Sequence, residues 1–252
     1  MKRPSLLLCC VTLSFATAQA AFLDFLKPKT SETNAISVAS LSGFSQDQVA
    51  DALKQALGKG VTSAITNLGQ ADGFLKNPKV KIPMPEKLAT VEKSLRALKQ
   101  DKYADEFVAT MNHAAEAAVP AALPIFTDAL KSMSIDDAKK LVSGGHDSAT
   151  QFFKTKGEKQ IQEKMAPIIQ QATEKAGVTA SYKKLVDQAN TGTVGSLLGK
   201  LNYDTASLDV DKYVTQKATE GLFKMIAEQE ELIRKNPAAR TTELLQKVFG
   251  AK

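Results

Sequence analysis

Apolar residues recur at three- and four-residue spacing along most of this chain, the period of one helix face after another. Val49, Leu53, Leu57, Val61 and Ile65 form the first seam. Ser45-Gln46-Asp47-Gln48 ahead of it reads as a capping box, in which the Ser45 oxygen accepts from the amide of Gln48 while the Gln48 side chain reaches back. Gly58 and Gly60 fall inside that seam, weaken it and predict a bend. The run 77–85 carries Pro78, Pro83 and Pro85 and reads as a loop. Leu88, Val91, Leu95 and Leu98 form a second seam. Tyr103, Phe107, Met111 and Ala115 form a third, after a charged break at Gln100-Asp101-Lys102. Pro120 and Pro124 punctuate the next stretch, whose apolar face is Ile125, Phe126, Ala129 and Leu130.

Ser134-Ile135-Asp136-Asp137 is another N-cap, with acids in the first turn where the helix dipole favours them. That helix runs to about Val142 and stops at Gly144-Gly145. Asp147 is expected to cap a helix bearing Phe152 and Phe153. Ile161, Met165, Ile168, Ile169 and Ala172 mark a longer helix, kinked at Pro167 and ended by Gly177. Tyr182, Leu185 and Val186 mark a short one. From Asp209 to Lys235, Val210, Val214, Ala218, Leu222, Met225, Leu232 and Ile233 lie along one face, and Asn236-Pro237 ends the helix. A last helix from Arg240 to Phe249 carries Leu244, Leu245 and Val248. No stretch alternates as a strand does. The expected fold class is all-α, a single compact bundle of about nine helices over residues 44–252.

The first 20 residues are of another kind. Lys2 and Arg3 precede an apolar run from Leu6 to Phe15, and Ala18-Gln19-Ala20 is a small-x-small cleavage site, so residues 1–20 read as a signal peptide cleaved after Ala20. The run is too short to span a bilayer, and no transmembrane span is expected in the mature chain. Export to the periplasm or cell envelope follows. Residues 21–43 read as a flexible leader: an apolar start, Ala21 to Leu26, then a stretch rich in Lys, Ser, Thr and Asn. Both cysteines, Cys9 and Cys10, lie in the signal, so cleavage leaves no disulfide, thiolate metal site or cysteine nucleophile. Lipidation there is disfavoured, because Leu8 rather than a small residue precedes Cys9.

The formal net charge is +6, and the basic residues are dispersed among Asp and Glu rather than clustered. A solvated helical surface explains this better than a nucleic-acid patch, although modest attraction to anionic lipid, hence peripheral membrane contact, stays open. Trp is absent, which disfavours stacking platforms for bases or sugars.

Several segments taken together resemble an uncharacterised family of exported bacterial helical proteins, domain of unknown function 4197. They are Met111-Asn112-His113-Ala114-Ala115-Glu116, Pro124-Ile125-Phe126, Gly144-Gly145-His146-Asp147-Ser148-Ala149-Thr150 with Phe152-Phe153, and Gly221-Leu222-Phe223 through Arg234 to Asn236-Pro237-Ala238-Ala239-Arg240-Thr241-Thr242. The resemblance covers most of residues 44–250 and is densest at the C-terminal end. It implies an exported helical protein with no established activity. Members look as though they carry Arg where this chain has His113, so a role there that needs a permanent cation is in doubt.

Three constellations could carry chemistry. Arg234, Asn236, Arg240 and Thr241 are the leading candidates for a ligand site, since two guanidinium groups could grip a carboxylate or phosphate bidentately. Capping of helix ends, with Glu228, Glu230 or Glu231 pairing the arginines, explains the same residues without a ligand. His113 and Glu116, three apart on one helix face, and His146 with Asp147 in the glycine turn are secondary candidates for acid–base work. With two histidines in the chain and no His-x-x-x-His pair, no metal is expected. No phosphate-loop, nucleophile-elbow or cofactor fingerprint is present, so no catalytic residue is assigned, no cofactor is expected, and the balance leans against an enzyme.

The expected function is a periplasmic or envelope binding or scaffold protein for an anionic or amphipathic ligand or a protein partner. A groove lined by Phe126, Phe152, Phe153 or Phe223 would favour it. The alternatives are a hydrolase-like enzyme using His, Asp and Glu, and a helical protein associated with the membrane surface.

Overall fold

The computed structural model describes residues 45–175, Lys184, Asp187 and residues 209–235, and every structural statement below concerns these. They carry seven α-helices and no strand: α1 Gln46–Leu68, α2 Ala89–Ala97, α3 Asp101–Ala118, α4 Leu123–Lys131, α5 Ile135–Ser143, α6 Ser148–Lys175 and α7 Val210–Lys235. The all-α expectation holds. The expected number, about nine, does not hold among the described residues. One reason is that Phe152 and Phe153 share a single helix, α6, with Ile161 to Ala172, and Pro167 lies within that helix. The helices expected around Tyr182 and from Arg240 to Phe249 lie outside the described residues.

Local signals set most of the boundaries. At α1, Ser45 Oγ accepts from Gln48 N at 3.2 Å and Gln48 Oε1 accepts from Ser45 N at 3.0 Å, the reciprocal box expected there. Ser134 and Asp137 form the same box at α5, and Gly144 is its C-cap. The break between α2 and α3 falls at Leu98 to Gln100, with Lys99 in the left-handed region at φ 57°. Short 3-10 turns, Glu86–Leu88 and Val119–Ala122, lead into α2 and α4.

The four long helices α1, α3, α6 and α7 build the core. α6 and α7 pack against each other most extensively, with α3 against α6 and α1 against α7. The short helices are satellites: α2 leans on α3, α4 bridges α1 and α6, and α5 rests on α1. Phe126 of α4 is the hub of an aromatic cluster, edge-on to Phe153 at 5.2 Å and to Phe223 at 5.9 Å between ring centroids. All three rings are almost fully buried, and burial of each contributes roughly 1.5–3 kcal/mol.

Between α1 and α2 the chain runs as a strap, residues 69–85, lying against α3 and α7. Backbone buried outside a helix has to find partners elsewhere, and here side chains supply them. Asn112 of α3 accepts from Ile82 N at 2.8 Å and donates to Ile82 O at 2.9 Å, as a neighbouring strand would. On the other side, Tyr213 Oη donates to Pro83 O at 3.1 Å and Lys224 Nζ to Lys79 O at 3.0 Å. α7 can come this close because residue 221 is glycine. A Cβ there would lie 2.9 Å from Phe74 Cε1 and 3.2 Å from Val80 Cβ, both on buried side chains. Gly221→Ala should therefore cost about 1–3 kcal/mol by overpacking, read as a lower urea midpoint at unchanged slope. An unchanged midpoint would show that the strap yields freely.

Candidate functional site

The Gly144-Gly145-His146-Asp147 turn delivers the chain into α6. The first amides of a helix need acceptors, and the residue at the Asp147 position ordinarily supplies one. Here the expectation for Asp147 needs correcting. The amides of Ala149 and Thr150 donate instead to Glu230 of α7, at 3.0 and 2.8 Å, and Thr150 Oγ1 donates to the same carboxylate at 2.8 Å. Asp147 accepts from the Gln151 side-chain amide at 3.1 Å. That hydrogen bond, helped by the charges of His146 and Lys154, holds its carboxyl below the usual range against a smaller opposing effect of burial. Asp147 is thus an anion at neutral pH, unsuited to donate a proton.

Arg234, one turn beyond Glu230 on α7, completes this cluster. Its Nε and one terminal nitrogen reach Glu230 Oε1 at 3.0 and 2.9 Å, and the same terminal nitrogen donates to Leu141 O and Ser148 Oγ, both at 2.8 Å. The Arg234 side chain is 12% exposed and that of Glu230 is 3% exposed. Of the three carboxylates considered as partners for this arginine, Glu230 is the one it binds, while Glu228 pairs with Lys79 and Glu231 with Lys235. The N-terminus of α6 thus holds an internal anion, Glu230, which is paired with Arg234. Asn236, Arg240 and Thr241, expected beside Arg234, lie outside the described residues.

The second pair of candidates also sits in a folding role. Glu116 on α3 is buried, and its two oxygens accept from three amides of the strap: Asp72 N at 3.2 Å, Phe74 N at 3.0 Å and Leu75 N at 3.1 Å. Asp72 adopts φ 65°, which turns these amides towards one point. His113, half-exposed, faces Glu116 Oε2 through Nδ1 at 2.8 Å. His146 is exposed on the α5–α6 turn, with Asp147 and Glu231 as its charged neighbours. The two histidines therefore serve different surroundings. Among the described residues no group of three His, Cys, Asp or Glu side chains is placed to hold a metal.

A groove lies between α1 and α4. It is open to solvent and has a volume of about 300 Å³. Leu123 and Leu130, half-buried, give it an apolar side over the buried Val61 and Phe126, Thr62 and Thr127 lie along it, and Lys54 and Lys131 also line it. No carboxylate among the described residues does. Lys54, Gly58 and Thr62 are spaced four apart on α1, so one stripe of the helix lacks a large apolar side chain where α4 crosses. Gly58 does not interrupt α1; a Cβ there would sit 3.6 Å from Leu130 Cδ1, an ordinary contact. Of the phenylalanines expected to line a binding groove, Phe126 does. Phe153 and Phe223 are buried behind it, and Lys154 and Lys156 stand over Phe223 and Phe152.

Fold and clusters define a class: a protein all-helical among the described residues, in which Asn112, Glu116, Glu230 and Arg234 hold helices and strap together. Residues 43–250 match the family described as "Protein of unknown function (DUF4197)", and the chain belongs to that family. No curated protein and no solved structure matches the chain.

Proposed function

We propose that this is an exported protein of the periplasm or cell envelope that binds an amphipathic or anionic ligand in the groove between α1 and α4. The observation that carries this reading is the groove itself, about 300 Å³, with Leu123 and Leu130 on its apolar side, two lysines and no carboxylate among the described residues. That volume lies at the small end of the range of about 300–1,000 Å³ for ligand sites. The hydrolase-like reading has less behind it. Glu116 is committed to three backbone amides and Asp147 to a side-chain amide, and neither is paired with a nucleophile. No helix among the described residues is long and apolar enough to cross a membrane. Export rests on the pattern from Lys2 to Ala20 alone.

Native mass spectrometry of the protein drawn gently from envelope fractions tests both parts. The expected result is a polypeptide beginning at Ala21 with a stoichiometric adduct that denaturation releases. A chain that retains residues 1–20 overturns export, and a bare mass from envelope fractions overturns the binding reading. The ligand expectation for Arg234, Asn236, Arg240 and Thr241 is tested on the same sample. A contribution from that end predicts loss of the adduct in Arg240→Ala, whereas binding confined to the groove predicts that it stays.

A further inference from the structure

We draw no further inference here: the strongest candidate, the half-exposed His113 facing the buried Glu116 where α3 meets the strap, belongs to the support already described, because Glu116 is committed to the amides of Asp72, Phe74 and Leu75.

Discussion

Glu230→Ala should remove about 3–5 kcal/mol of stability, a large part of the roughly 5–15 kcal/mol that holds a domain of this size folded. The loss has two sources. The amides of Ala149 and Thr150 at the start of α6 lose their acceptor, and Arg234 loses the carboxylate oxygen that its Nε and one terminal nitrogen share. Water cannot readily replace the carboxylate, because the Glu230 side chain is 3% exposed. Arg234→Ala should cost less, since Glu230 keeps its two amides and the Thr150 hydroxyl. The double variant should be more stable than the sum of the two losses predicts, as expected for groups in direct contact. Urea unfolding of the three variants measures this. Additive losses, or a loss below about 1 kcal/mol for Glu230→Ala, would mean that the cluster is solvated in a way its burial denies.

The pattern of apolar spacing was enough to read the helices, because period and caps are local properties. Ser45, Ser134 and the Gly144 stop act within a turn or two of their own positions, and each sits where expected. What failed was inference across distance. A glycine can end a helix or admit a neighbour, and sequence alone does not say which. Gly157 lies inside α6 because Ile125 of α4 packs where its side chain would be, with the Cβ position 3.0 Å from Ile125 Cγ2. Similarly, the acceptor for the α6 amides comes from a residue 80 positions away, so the adjacent Asp147 drew attention instead. On α7 the expected apolar face included Leu232, which is 48% exposed. Val214, Ala218, Leu222 and Ile233 of that face are buried as expected, and Gly221, Phe223 and Glu230 are buried beside them, because their neighbours are the strap, the aromatic cluster and the head of α6. Polar residues dense enough to look like a site are, where described, the ones that fold the chain. The groove, by contrast, shows in the sequence as a lack: Lys54, Gly58 and Thr62 leave one stripe of α1 without bulk.

The same distinction between site and support decides what Glu116 does, and Glu116→Ala should cost about 3 kcal/mol. Each strap amide left without an acceptor costs roughly 1–3 kcal/mol, reduced here because Asp72 and Leu75 are half-buried and water can reach them. Phe74 has no such relief; it is fully buried, and its amide depends on Glu116 Oε1. Glu116→Gln should lose less, since the amide oxygen can still accept from Phe74 and Leu75 while the Asp72 contact is lost. His113→Ala should stay within about 1 kcal/mol, because its contact with Glu116 is made by a half-exposed side chain. Asn112→Ala, which orphans Ile82 N and Ile82 O, should fall beside Glu116→Ala. Hydrogen exchange at the amides of Phe74, Leu75 and Ile82 is the measurement that localises the effect. Fast exchange confined to the strap, with α6 and α7 still protected, is the signature of a support for one segment. Stability unchanged in Glu116→Ala, or a loss in His113→Ala equal to it, would break this account and return the pair to the list of groups poised for acid–base chemistry.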